Sequence, residues 1–218
     1  MGNICIIPAR YGSKRIKDKN IRPFCGKPII EYAIESAFKS ELFDMIIIYT
    51  NDIKIIADYP DLAVIRSQEN ANDIATLTDT LLEALGIYEK FNNACLLLPT
   101  AVFTTSGDII KAYNLLKDND AVISVCKYSH PIERAFRIYN DKFMFFSAFN
   151  EFRRTQDFPE AYHDAGQFYW LNVKAFKEQK RIFMGNSHPY IMDAIDIDNE
   201  SDWIKAEAIF ERTRILAK

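Results

Sequence analysis

Glycine is scarce in this chain, with seven residues among 218. That shortage removes two phosphate-binding devices together. No GxxxxGK[ST] segment occurs and no GxGxxG follows an apolar run, so a P-loop nucleotide hydrolase and a nicotinamide dehydrogenase are both disfavoured. Long apolar runs are missing too. None approaches the roughly 20 residues that span a bilayer, and the first strand-like run starts almost at Met1, so no signal peptide is expected. Met1-Gly2 lacks a Ser or Thr at position 6, which leaves a myristoylation signal incomplete. The four cysteines (Cys5, Cys25, Cys95, Cys126) form no CxxC pair, and three lie in apolar, β-rich runs. They read as buried thiols of a reducing compartment, not as disulfides or zinc ligands. Neither charge dominates, since the formal net charge is −3. A general nucleic-acid or membrane-surface binder is thereby excluded. The expectation is a cytoplasmic protein whose partners are neither nucleic acid nor membrane.

What is present is a sizeable apolar fraction, 49%, arranged in short alternating blocks. Strands are predicted over Ile4–Ile7 (ended by Pro8), Met45–Tyr49, Leu62–Ile65, Ala94–Leu98 and Ala121–Cys126. Helices are predicted from Pro28 with Ile29, Ile30, Ala33, Ile34, Ala37 and Phe38 inward, over Asp52–Asp58, over Thr76–Phe91, and from Ser106 as cap through Leu116. This rhythm predicts an α/β fold: a mostly parallel sheet with helices on both faces. It breaks after Cys126. Ala135–Tyr139 and Phe143–Ser147 flank Asn140-Asp141-Lys142, a hairpin signal whose aromatics suit a subunit contact. Gln167–Val173 and Tyr190–Ile197 read as later strands and Ser201–Leu216 as the last helix. No linker or repeat appears, so residues 1–218 are expected to form a single domain with an insert around 130–160.

Four constellations carry chemistry. Directly after the first strand come Arg10, Lys14, Arg15, Lys17 and Lys19, with Gly12 and Ser13 between them. Gly12 permits a tight turn, and backbone N–H groups with surrounding cations suit a polyphosphate. The plain alternative is a solvated basic loop; its place at a strand's carboxyl end favours the ligand. Asp196-Ile197-Asp198, read as strand, sets two carboxylates on one side, where they could hold a hard divalent ion; Asp198 as a helix cap is the alternative. Arg66, with Asp73 and Thr76 following, could reach a phosphate or a base, and Asp73 could cap the following helix. In Tyr162-His163-Asp164-Ala165-Gly166-Gln167-Phe168-Tyr169, His163 invites a general-base reading, but a polar sugar site is the better one. His130 and His188 each precede a proline and read as turn residues.

With these residues in hand, the chain resembles the cytidylyltransferases that activate acid sugars. Ile7-Pro8-Ala9-Arg10-Tyr11-Gly12-Ser13-Lys14 through Lys19-Asn20 matches their opening signature, Gly26-Lys27-Pro28 their helix entry, Arg66 through Thr76 a second block, Pro99-Thr100-Ala101 a central turn, and Asp196-Ile197-Asp198 the metal-binding strand. The segment Arg154 through Tyr169 is most similar to the pseudaminic acid cytidylyltransferases. Neuraminate enzymes usually carry Arg where His163 stands and Gln where Leu98 stands, so neuraminate is disfavoured. Val102 and Leu77 also depart from the common pattern. The resemblance implies a Rossmann-like, three-layer nucleotidyltransferase fold, a homodimer joined through the hairpin, CTP and a nonulosonic acid as substrates, and Mg2+. It implies Arg10, Lys14 and Lys19 as catalytic cations, and nucleotide contacts from Ala9, Gly12, Ser13, Asn20, Arg66 and Thr100. Arg134, Arg154, His163, Asp164, Gln167 and Tyr169 are implied at the sugar, and Asp196 and Asp198 at the metal.

Overall fold

The computed structural model describes residues 2–72 and 74–216; Asp73, a candidate helix cap, lies outside them. The elements in chain order are β1 (Asn3–Ala9), β2 (Pro23–Phe24), β3 (Lys27–Pro28), α1 (Ile30–Ser40), β4 (Met45–Thr50), α2 (Ile53–Asp58), β5 (Ala63–Ile65), α3 (Leu77–Ile87), β6 (Asn93–Leu97), α4 (Ser106–Leu115), β7 (Ala121–Lys127), β8 (Phe136–Tyr139), β9 (Lys142–Phe145), β10 (Tyr162–Asn172), α5 (Val173–Gln179), β11 (Ser187–Ile191) and α6 (Glu200–Leu216). The main sheet has the order β11-β7-β10-β6-β1-β4-β5. Every neighbouring pair is parallel except those made by β10, which runs antiparallel to both β6 and β7. Among the described residues no helix is long and apolar enough to cross a membrane.

Period-two alternation divides β1 between the two faces of the sheet. Ile4 and Ile6 join α3 and α5 in one apolar layer through Leu81, Leu85 and Phe176. Cys5, Ile7 and Ala9 join α1 and α4 in the other through Ile30, Ala33, Ile109 and Ala112. A third cluster sits at one end of the sheet. There Trp203 and Ala206 of α6 enclose Ile16, Phe24, Ile29, Val102 and Ile197.

Several boundaries depart from the sequence reading for local reasons. Pro8 does not end β1, because it pairs with Tyr49 of β4 and lies beyond Ile6, the last residue paired with β6. Pro28 does not open α1: Cys25 and Gly26, at φ 44° and 103°, fold the chain back so that Pro28 pairs with Pro23. Phe38 is exposed. Thr105, not Ser106, caps α4; its Oγ1 accepts from the Asp108 N–H while the Asp108 carboxylate accepts from the Thr105 N–H, a reciprocal box. Thr76 caps α3 in the same way. His188 belongs to edge strand β11, where Pro189 is tolerated. That strand ends at Ile191, so Asp196 and Asp198 lie on an irregular crossing segment and not on a strand.

The hairpin after β7 forms as expected. Asn140 and Asp141, both at positive φ, make the two-residue turn between β8 and β9. Phe136, Ile138, Phe143 and Phe145 share one face of this ribbon by register, and Phe149 and Phe152 beyond it are 90% and 88% exposed.

Candidate active site

The chain order places β1, β4 and β5 to one side, then returns β6 to the other flank of β1. The loops leaving the carboxyl ends of β1 and β6 therefore diverge, and the crevice between them is a topological switch point, where open α/β sheets take ligands. A cavity of about 420 Å³ opens there, large enough for a nucleotide-sized ligand.

Its first wall is the basic loop. Asn20 Nδ2 donates to the Arg10 carbonyl at 3.0 Å and closes the loop's base, and Tyr11 N–H donates to Asn51 Oδ1 at 2.8 Å. Gly12 turns the chain at φ 86°. Ile16, a lone apolar residue among charges, is fully buried under α6 and pins the loop from below. Arg10, Ser13, Arg15, Lys19 and Asn20 thereby line the cavity, with Leu98, Pro99 and Thr100 beyond the end of β6.

The opposite wall is the crossing segment. Ile197 is fully buried in the same cluster as Ile16, so its two neighbours, Asp196 and Asp198, are turned into the cavity. The walls touch: Arg15 Nη1 meets Asp198 Oδ2 at 2.8 Å, and Lys19 Nζ lies 3.6 Å from Asp198 Oδ1. Burial lowers the proton affinity of Lys19, and the nearby charges of Asp198 and Asp196 work against that shift. Asp196 is exposed by surface area yet crowded by neighbours. Desolvation, then the charge of Asp198, raises its carboxyl above the ordinary range, with Lys19 opposing.

A bulge in β10 makes the floor. Asp164 pairs with Val125 but Tyr169 with Ile123, so five steps along β10 match two along β7. Ser124 Oγ stabilises the bulge, donating to the Phe168 carbonyl at 2.9 Å and accepting from the Phe168 N–H at 3.0 Å. Asp164 accepts from Tyr169 OH at 2.6 Å and from Gly166 N–H at 2.9 Å. Burial, followed by this bond to Asp164, raises the Tyr169 phenol far above its usual range, so it stays a neutral donor.

Of the expected site residues, Arg10, Ser13, Lys19, Asn20, Thr100, Asp164, Tyr169, Asp196 and Asp198 share this one cavity. Ala9 is buried at the end of β1, where only its backbone is available. Gly12 and Lys14 are exposed on the turn, outside the cavity lining. Arg66 is 5% exposed and donates to Thr80 Oγ1 at 2.6 Å, while its Nε has no hydrogen-bond partner among the described residues. Gln167 is fully buried, its amide bonded to backbone carbonyls. His163 lines a neighbouring cavity of about 230 Å³ with Phe103, Cys126 and Ile195. Its Nδ1 lies 2.7 Å from the Asp164 carbonyl, and the ring is not among the residues that line the main cavity. Arg134 contacts Thr155 and Arg154 pairs with Asp157, both outside the cavity lining. Two contributors escaped the sequence reading, Ile16 and Ile197; their signal is a single apolar residue set between charges.

Two adjacent carboxylates supply hard oxygen donors of the kind Mg2+ takes together with substrate phosphates. Among the described residues no cluster of three or more His, Cys, Asp or Glu ligands occurs, so the pair suits an ion completed by nucleotide and water. Gly166 fits this too. A Cβ there would lie 2.5 Å from Asp196 Cγ, so the cradle for the carboxylate exists only with glycine.

The comparisons agree with that geometry. Residues 4–216 match the family model described as Cytidylyltransferase. The chain is 33% identical over 225 residues to the pseudaminic acid cytidylyltransferase of Campylobacter jejuni subsp. jejuni serotype O:23/36 (strain 81-176), covering 97% of each. It is 32% identical over 220 residues to the N-acylneuraminate cytidylyltransferase of Escherichia coli O18:K1:H7, covering 96% of this chain and 52% of that one. Among solved structures, CMP:2-keto-3-deoxy-manno-octonic acid synthetase complexed with CTP superposes with a TM-score of 0.71 at 15% identity, covering 98% of this chain and 100% of the other. That likeness shows the shared nucleotidyltransferase fold. A cation-rich turn facing an acidic pair across the switch point, carried on a sequence that matches the family model along nearly all its length, makes this chain a member of the cytidylyltransferase family.

Proposed function

We propose that the protein transfers CMP from CTP to the anomeric hydroxyl of a nonulosonic acid, pseudaminic acid before other acid sugars, with release of pyrophosphate. The observation that carries this reading is the contact of Arg15 and Lys19 with Asp198 across one nucleotide-sized cavity. Little covalent chemistry is asked of the protein; alignment and charge neutralisation supply most of the rate. Arg10 and Lys19 line the cavity and hold the triphosphate, with Lys14 reaching in from the turn. Asn20 and the Thr100 loop hold the nucleoside end. Asp164 and Tyr169 each offer an acceptor to the sugar, the one phenol proton of Tyr169 being given to Asp164. Asp196 and Asp198 would hold Mg2+, whose chemistry is to neutralise phosphate charge and lower the pKa of the attacking hydroxyl.

Pseudaminic acid is favoured over neuraminate by His163 and Leu98, which stand where neuraminate enzymes usually carry Arg and Gln. Residues 1–218 form one nucleotidyltransferase domain, and the hairpin insert joins two copies, bringing Arg134 and Arg154 toward the partner's cavity. The four free thiols suit a cytoplasmic setting. The test is pyrophosphate release with CTP, Mg2+ and a panel of pseudaminate, legionaminate, neuraminate and 3-deoxy-octulosonate, with products identified by mass spectrometry. A CMP-pseudaminate product is expected. CTP binding without pyrophosphate release in the presence of any sugar would make the chain a non-catalytic homologue and overturn the reading.

A further inference from the structure

The acidic pair lies on irregular backbone, so something other than a strand must set its position. Two consecutive residues of the β10 bulge meet that need. Gly166, at φ +60°, approaches Asp196 so closely that an added Cβ would stand 2.5 Å from Cγ, 2.6 Å from Oδ1 and 2.8 Å from Oδ2. The next residue, Gln167, is fully buried, and an amide in that position must be bonded or costly. Its Nε2 donates to the Ala165 and Gly166 carbonyls, both at 3.2 Å, and across to the Ile195 carbonyl at 3.4 Å. Its Oε1 accepts from Thr104 Oγ1 at 3.5 Å. The bond to Ile195 reaches the residue directly before Asp196.

We infer that Gly166 and Gln167 are positioning residues that seat Asp196 for metal: Gln167 ties down the crossing segment and Gly166 leaves room for the carboxylate against the bulge. The inference rests on the metal role given to Asp196 above. Gly166 brings only backbone to the cavity lining, and Gln167 lies outside it. Gln167, whose sequence neighbourhood reads as a sugar site, instead acts from beneath the floor.

The test is a titration of Mn2+ in the presence of CTP without sugar, followed by the electron paramagnetic resonance of the free ion, alongside thermal unfolding. Relative to the unaltered protein, Gly166→Ala is expected to weaken Mn2+ binding by about 10–100-fold, the size of effect that outer partners of metal ligands have. Turnover should largely return at saturating metal. In an Asp196→Ala background the same change should weaken binding no further, because the group it displaces is gone. Gln167→Met, similar in length but without the donor, should also weaken binding. Unchanged affinity in Gly166→Ala with only a lowered unfolding temperature, or an equal loss in the Asp196→Ala background, overturns the inference. If Gly166→Ala does not fold, Gln167→Met decides: weakened binding supports the seat and unchanged binding refutes it. An unaltered protein that binds no Mn2+ refutes it outright. Mn2+ binding that behaves as stated, in a protein that releases no pyrophosphate, leaves the seat standing and removes the transfer reaction.

Discussion

Lys19 and Asp198 sit 3.6 Å apart on walls that a triphosphate would enter between. Lys19→Ala is expected to lower the rate of pyrophosphate release by about 10²–10³-fold, the usual loss when one donor to developing charge is removed, with the fold intact by circular dichroism. Asp198→Asn should raise the Mg2+ concentration for half-maximal rate sharply, read by metal titration. Asp196 gives a pH signature. Its carboxyl binds a proton more tightly in the folded state than in the unfolded chain. Stability from this group is therefore fully present below the ordinary aspartate range and is lost as pH rises through the raised folded value. Asp196→Asn should raise the thermal midpoint at neutral pH and give no gain near about pH 3, where both forms carry the proton; exposure to the cleft keeps the gain small. Single residues of this kind were legible from sequence because chemistry concentrates in them. Gln167 was not, since sequence shows an amide near a polar motif but not that its donors are already taken by carbonyls. Arg66 was legible as a cation near the site, but not as one buried against Thr80.

Among the elements, the β8–β9 ribbon leaves the sheet and carries an apolar face that the fold does not cover. Phe143 and Ile138 are cross-strand partners on that face, 67% and 76% exposed. The single variant Phe143→Glu should leave secondary structure unchanged and convert the proposed hairpin dimer to a monomer in analytical ultracentrifugation, because a charge is buried on the proposed joining face and faces its copy there. Thr105→Ala removes one half of the α4 capping box and should cost about 1 kcal/mol of stability in denaturant unfolding. The hairpin was legible from Asn140-Asp141 because a two-residue turn needs residues that accept positive φ. The β10 bulge was legible only in part. Gly166 inside the run is a bulge signal, but how many residues loop out is set by the pairing with β7. The crossing segment was misread for a related reason: Asp196-Ile197-Asp198 alternates like a strand, yet it has no ladder partner and takes its alternation from burying Ile197 alone.

At the scale of the whole molecule, α6 acts as a clamp. Trp203, 1% exposed, packs in the cluster that also buries Ile16 and Ile197, and Arg22 stacks over its ring at 4.5 Å while pairing with Glu200. Trp203→Ala should lose about 3–5 kcal/mol in denaturant unfolding, and CTP binding should weaken along with stability, because one cluster supports both walls. The layered sheet followed from the alternating blocks, but the convergence of residues near 15 with residues near 198 did not, being a matter of topology. Arg15 and Asp198 are 183 positions apart. A ribosome adding about 5–20 residues each second needs roughly ten to forty seconds to bring the second after the first. Throughout that interval the nascent chain carries its cationic turn without Asp198. Competence for turnover thus waits for the segment around Asp198, and a product cut before it would bear the anion-attracting half of the machinery alone.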